Sequence, residues 1–164
     1  MLKTVDLLQV EHTGQYNFDR LKKRRFRGVS IDSRKISKDE IFFAITGEVT
    51  DGHKYIDEVF RKKVQIAVVN DGWYKKNKNK YKNEIFLTVK DTTSALGSFA
   101  KIHKRNFSIP VLCIGGSNGK TTTKDLTAAV LSQKYNVLKT EGNFNNHIGL
   151  PLTLLRLNES HNFC

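Results

Sequence analysis

The stretch that most constrains this 164-residue chain is Val111-Leu-Cys-Ile-Gly-Gly-Ser-Asn-Gly-Lys-Thr-Thr-Thr-Lys124. It predicts a short apolar strand, a glycine-rich turn, and a helix that opens at Gly119-Lys120-Thr121. Glycines let the backbone bend until several N–H groups face one point, and the helix N-terminus adds partial positive charge there. Lys120 can reach the outer phosphates of a nucleotide, and the Thr121 hydroxyl is placed to ligate Mg²⁺. The strict G-x-x-x-x-G-K-[ST] pattern has glycine where this chain has Ile114, so the loop begins at Gly115 or Gly116. An ordinary strand-to-helix turn would use similar residues; the flanking pattern favours an ATP site.

Around this loop the chain alternates apolar runs with helical periodicity. A short helix is expected near Thr4–Gln9 and a polar turn around Gly14. Gly28–Arg34 reads as a strand running into a turn, and Glu40–Ile45 as a strand rich in β-formers. Thr46–Gly52 is a loop. Tyr55, Ile56, Val59 and Phe60 recur at helical spacing within Lys54–Lys63. Val64–Val69 is a buried strand stopped by Asn70-Asp-Gly72, and Glu84–Val89 is another. Asp91 or Thr92 caps a helix to about Asn106, with Leu96, Phe99, Ala100 and His103 along one face. Val111–Ile114, the helix Lys120–Lys134 and a strand at Val137–Lys139 make a βαβ unit, with Leu126, Ala129 and Val130 on one helix side. Pro151 suits the first turn of a last helix. The expectation is an α/β protein with a mostly parallel sheet in its second half, divided near residues 88–91.

Net charge is +12. Arg20-Leu-Lys-Lys-Arg-Arg-Phe-Arg27 holds six basic residues in eight, and Tyr74-Lys-Lys-Asn-Lys-Asn-Lys-Tyr-Lys82 five in nine. Such runs attract polyanions, although the second also reads as a solvated lysine/asparagine loop and neither carries a nucleic-acid-binding motif. No nucleic acid partner is expected. The start has no apolar run long enough for a signal peptide, nothing later could span a bilayer, and the two cysteines, Cys113 and Cys164, make no disulfide framework. A cytoplasmic protein is expected. The five histidines show no paired metal-ligand spacing.

Three ordered blocks resemble the Mur ligases of peptidoglycan synthesis. Asp32-Ser-Arg34, Ile41–Glu48 and Asp51-Gly-His53 are similar to that family's amino-terminal UDP-binding domain. Gly116-Ser-Asn-Gly-Lys-Thr-Thr122 is similar to its phosphate loop, which also lacks the first glycine. Thr140-Glu-Gly-Asn-Phe-Asn-Asn-His-Ile-Gly-Leu-Pro151 resembles the asparagine-rich segment of the branch that joins D-alanyl-D-alanine to UDP-N-acetylmuramoyl-tripeptide. Many members have threonine where this chain has Gly115.

The resemblance implies a small α/β UDP-muramoyl-peptide-binding domain over 1–89 and the first part of a P-loop ATP domain over 90–164. It implies ATP and Mg²⁺ as cofactors, an acyl-phosphate intermediate, and UDP-N-acetylmuramoyl-tripeptide and D-alanyl-D-alanine as substrates. Gly116, Ser117, Asn118, Gly119, Lys120, Thr121 and Thr122 would cradle the nucleotide, with Lys120 and Thr121 acting in catalysis and Thr121 on the metal. Ser33 and Arg34 would lie near the uridine diphosphate, and Asn143, Asn145 and Asn146 near the muramoyl-peptide. For both of the latter groups a plain hydrogen-bonded turn is the competing reading, as it is for Asp51-Gly-His53. The family's remaining catalytic residues lie beyond the matched blocks, so this chain alone is expected to be inactive. A non-catalytic nucleotide-binding module and a basic nucleic-acid-binding protein remain the alternatives.

Overall fold

The computed structural model describes residues 1–21, 24–47, 50–142, 144 and 146–164. In chain order the elements are β1 (Leu2–Lys3), α1 (Thr4–Leu7), β2 (Gly14–Tyr16), β3 (Arg25–Phe26), β4 (Gly28–Ser30), β5 (Glu40–Phe43), α2 (Ile56–Arg61), β6 (Ile66–Asn70), α3 (Asp71–Asn77), β7 (Ile85–Val89), α4 (Thr92–Arg105), α5 (Lys120–Leu131) and α6 (Gly149–Leu154). Short 3₁₀ turns cover Phe18–Leu21, Gly52–Tyr55 and Lys78–Lys80.

A five-stranded sheet in the order β2-β7-β6-β5-β4 forms the first part of the chain. β4, β5, β6 and β7 are parallel, and β2 is an antiparallel edge strand with Tyr16 opposite Phe86. Parallel strands covered on both faces need consecutive apolar residues rather than alternate ones, and residues 41–43 and 66–69 supply them. Ile41, Phe43, Ile66, Val68 and Leu87 enter one core with Leu7 of α1 and Leu96 and Phe99 of α4. Phe42, Ala67, Val69 and Phe86 enter the other with Ile56 and Val59 of α2 and Tyr74 of α3. Phe43 stacks on Phe99 at 6.2 Å between ring centroids. Phe86 is ringed by Phe60, Tyr74 and Tyr81 at 5.2–5.5 Å.

The structure departs from the sequence reading in four places. Gly14 lies not in a turn but in β2. The Lys/Asn-rich run is not a loop throughout: Asn70 accepts from the Trp73 N–H and caps α3. The mostly parallel five-stranded sheet lies in the first half of the chain, and the second half contributes a single parallel bridge among the described residues, Val137 with Phe163. Among the described residues, 110–164 contain no named strand, although expected strand residues there are extended and bonded. Leu112 N–H donates to Cys164 O, Cys164 N–H to Pro110 O, and Leu138 N–H to Phe163 O. Residues 162–164 thus lie between the two strands of the expected βαβ unit, which leaves those segments one strand position apart. Finally, α5 turns Leu126 and Val130 outward and buries Ala128 instead.

Helix α4 joins the two parts. One side packs on the sheet, and α6 and Leu155 lie against the same core. His103 Nε2 donates to Leu157 O at 2.9 Å, and the buried Nδ1 has no hydrogen-bond partner. A ring that donates from Nε2 to a carbonyl and finds no acceptor at Nδ1 is neutral, and burial accordingly pushes the imidazole below its usual range. No helix among the described residues is long and apolar enough to cross a membrane.

Candidate functional site

Gly116 and Gly119 carry the backbone of the phosphate loop at φ +148° and +77°. Both angles lie where a Cβ is strained, which explains glycine at these two positions. Gly119 is the N-cap of α5, and the first intrahelical bond runs from Thr123 N–H to Gly119 O at 2.9 Å. Helix geometry leaves the N–H groups of Lys120, Thr121 and Thr122 directed out of the first turn, where an anion would be favoured.

The Lys120 ammonium folds over the loop and donates to Gly116 O at 2.6 Å and Ser117 O at 3.0 Å. One turn later on the same side, Lys124 donates to Thr140 O at 2.8 Å and Gly142 O at 3.1 Å. Sequence reading did not single out Lys124; its spacing of four from Lys120 is the signal that would have found it. Lys139 pairs with Asp125 at 2.7 Å and, with Lys124 nearby, holds that carboxyl below its usual range. Lys120, Thr121, Lys124 and Thr140 form the polar margin of a cavity of about 260 Å³. Leu112, Ile114, Ala128, Leu131 and Leu154 give it apolar wall, with Thr127, Lys139 and Thr153 also lining it.

The loop suits the phosphates of a nucleotide: two positive-φ glycines, a helix N-terminus and a lysine converge on it. Among the described residues no group of three or more His, Cys, Asp or Glu gathers to hold a metal.

The other predicted residues are placed as follows. Ser33 is buried, and its hydroxyl donates to Glu58 at 3.0 Å. Lys62 donates to Ser33 O and Arg34 O at 2.6 and 2.9 Å, so this turn is clamped from α2 and from the residue that follows it. The Arg34 guanidinium is exposed and forms a two-point pair with Asp32, at 2.9 Å for each bond. Hydrogen bonds from the Arg34 side chain, then from its N–H, hold the Asp32 carboxyl down at about 2. Asn146 accepts from Ile148 and Gly149 N–H at 3.1 and 2.8 Å, opening α6. Asn143, Asn145 and Glu48 lie outside the described residues. The cavity at the phosphate loop is not lined by Ser33 or Arg34.

Asp51-Gly-His53 forms a clip. Asp51 accepts from the His53 N–H at 3.0 Å and from Nδ1 at 2.6 Å, while His53 Nε2 accepts from Asn70 N–H at 2.9 Å. The acceptor role of Nε2 makes Nδ1 the protonated nitrogen. Burial raises the Asp51 pKa, but the His53 hydrogen bonds outweigh it and leave the carboxyl below its usual range. A Cβ on Gly52 would stand 2.9–3.0 Å from the backbone of Ala44 and Ile45, so only glycine lets the loop close on β5.

Two family models match the chain: "Mur ligase family, catalytic domain" over residues 25–104 and "Mur ligase middle domain" over 114–164. The UDP-N-acetylmuramoyl-tripeptide--D-alanyl-D-alanine ligase of Bacillus subtilis (strain 168) is 41% identical over 133 residues, 81% of this chain and 28% of the relative. A crystal structure of MurF from Acinetobacter baumannii superposes with a TM-score of 0.83 at 27% identity, covering 99% of this chain and 34% of that one. MurF ligase from Thermotoga maritima, in complex with ADP, gives a TM-score of 0.71 at 31% identity over 84% of this chain and 30% of that one. The chain spans about 30% of the length of the curated relatives it matches.

Proposed function

The chain belongs to the Mur ligase family, and from that premise we propose that it is part of an ATP-dependent ligase that adds D-alanyl-D-alanine to UDP-N-acetylmuramoyl-tripeptide in the cytoplasm. Residues 1–89 are the proposed UDP-muramoyl-peptide-binding domain and 90–164 the beginning of the ATP-binding domain, with α4 packed against both. The observation that carries this reading is the Lys120 ammonium, held at 2.6 Å over the carbonyl of a positive-φ glycine at the mouth of α5. An arriving phosphate would take over that ammonium, trading carbonyl partners for charged oxygens.

The residues would divide the work in this way. The Gly116–Thr122 backbone and Lys120 bind and orient the phosphates, and Thr121 supplies a hydroxyl to Mg²⁺. ATP supplies the activation of the substrate carboxylate, as an acyl phosphate. Catalysis of that kind rests on positioning and charge neutralisation, which a loop of N–H donors and a lysine provide. Ser33 and Arg34 are proposed near the uridine diphosphate. Since Arg34 is paired with Asp32, its guanidinium would reach a diphosphate while keeping that pair or by exchanging it. Asn143, Asn145 and Asn146 are proposed near the muramoyl-peptide, with the Asn146 amide nitrogen free of the helix-opening role of its oxygen.

Nucleotide titration of the chain and of Lys120→Ala tests the reading. Loss of the ammonium should weaken ATP binding by roughly tenfold or more, with an unchanged thermal melt because Lys120 makes no core contact. Equal affinity in the two proteins would remove the phosphate loop from the function. Peptide-bond formation by these 164 residues alone is not expected.

A further inference from the structure

We infer that the amino-terminal rim of the five-stranded sheet is a docking surface for an anionic lipid bilayer. Because β4 to β7 are parallel, their starts lie along one rim, and antiparallel β2 brings its end to the same rim. Each strand meets that rim beside an exposed cation: Arg20 after β2, Lys82 before β7, Lys63 before β6, Lys38 before β5 and Arg27 before β4. Two hydrogen bonds tie down its ends: Arg20 to Asn83 O and Arg27 N–H to Asp39 O, both at 2.8 Å. Arg20 and Arg27 of the first basic run and Lys82 of the second, more than forty residues away in sequence, thereby share one surface. At the usual strand spacing the five positions extend over roughly 20 Å.

None of these five cations is in an ion pair among the described residues. Acidic groups share these segments: Asp19 and Asp39 are exposed beside Arg20 and Lys38, while Glu40 accepts from Ser37 N–H and Glu84 from Asn83 N–H. Lys63 also holds φ +62°, at a helix end where glycine is the conformationally favoured residue. A charged side chain therefore stands there at a conformational cost, and no acidic group among the described residues pairs with it. The opposite rim, where open parallel sheets bind small ligands, carries mixed charge: Asp32, Asp51, Asp71 and Asp91 against Arg34 and Lys90. The basic rim is thus separate from the expected substrate end.

The form of the rim selects the partner. It presents strand ends in a row, and both the cavity at the phosphate loop and the cleft between Val10–Thr13 and Val89–Ser98 lie elsewhere. The aromatic rings of the two basic runs, Phe26, Tyr74 and Tyr81, are buried, so they offer no face for base stacking. The large exposed apolar residues also lie outside these segments, so adsorption would be electrostatic, without insertion. A row of point cations at adjacent strand ends suits the headgroups of an anionic leaflet.

Co-sedimentation with vesicles of mixed phosphatidylglycerol and phosphatidylcholine, against vesicles of phosphatidylcholine alone, tests this. Binding is expected only to the anionic vesicles and should weaken as salt rises. Removing Lys38, Lys63 and Lys82 together as alanines should cost about a hundredfold in partition, near fivefold for each. Single variants Lys38→Ala and Lys82→Ala give the same reading should the triple variant fail to fold. A control with Lys90→Ala, Lys101→Ala and Lys134→Ala should bind as the parent does. Equal loss in the control would reduce the effect to net charge and overturn the rim. Binding to duplex DNA with no binding to anionic vesicles would overturn the lipid assignment in favour of nucleic acid.

Discussion

The two parts of this chain share one grammar and reach different states of completion. In residues 1–105 each apolar strand lies between neighbours and under helices, and Phe42, Phe43, Ile66 and Leu87 are fully buried. In residues 110–164 the same alternation of extended segment and helix leaves Val130 72% and Leu126 64% exposed. The difference does not lie in local propensity, since α5 is a regular twelve-residue helix. It lies in whether the partner surfaces are present: β5 and β6 find theirs within this chain, whereas the outward face of α5 and much of Val111–Ile114 find none among the described residues. Apolar pattern therefore records what an element is built to bury, and burial follows only where the complementary layer exists.

The sharpest way to break this contrast is a matched pair of truncations. Phe86→Ala should destabilise the chain by about 3–5 kcal/mol, since it empties the centre of the second core. Val130→Ser should change the unfolding free energy from urea titration by less than about 0.5 kcal/mol, as an exposed substitution does. Comparable losses from both would mean that α5 is buried in solution and that the contrast is false.

The seam between the parts offers a second test. His103 joins α4 to Leu157 as a neutral, buried ring whose pKa lies below the ordinary imidazole value. The unfolded chain then binds the extra proton first, so stability present above about pH 6.5 should fall as the pH drops through the folded pKa. His103→Gln, which keeps a donor without a titrating ring, should remove that limb from denaturation curves. An unchanged acid limb would place the pH sensitivity elsewhere. The smallest effect belongs to Asp32, whose carboxyl is held at about 2 by Arg34. Its stabilisation should be present above pH 4 and disappear between roughly pH 4 and 2. Asp32→Asn should flatten only that interval, and by little, because the Arg34 side chain is exposed to solvent.

Much of the first part was legible from residue order. Continuous apolar runs marked β5, β6 and β7, and Asp91 marked the start of α4, where its carboxylate accepts from Ser94 N–H at 2.8 Å. Other features were hidden for identifiable reasons. β2 is three residues long and has no alternation to read, and only its pairing with β7 makes it a strand. α3 contains Gly72 and a run of lysines, which masks a helix held by the Asn70 cap and by buried Tyr74. At the candidate site the loop glycines and Lys120 were visible because positive φ demands glycine. Lys62 beneath the Ser33 turn was not, since 29 residues separate it from the backbone oxygen it binds.

By itself, then, the sequence determined the places where local chemistry restricts residue type: the Gly116 and Gly119 turn, the α5 start, and the strands built on continuous apolar runs. Tertiary structure alone decided which surfaces meet. It set residues 162–164 between the two strands of the expected βαβ unit, turned Leu126 and Val130 outward, and aligned five distant cations along one rim. The physical reason is range. Dihedral preference and capping act over a few residues, whereas strand order and charge clustering depend on pairings that no local pattern encodes.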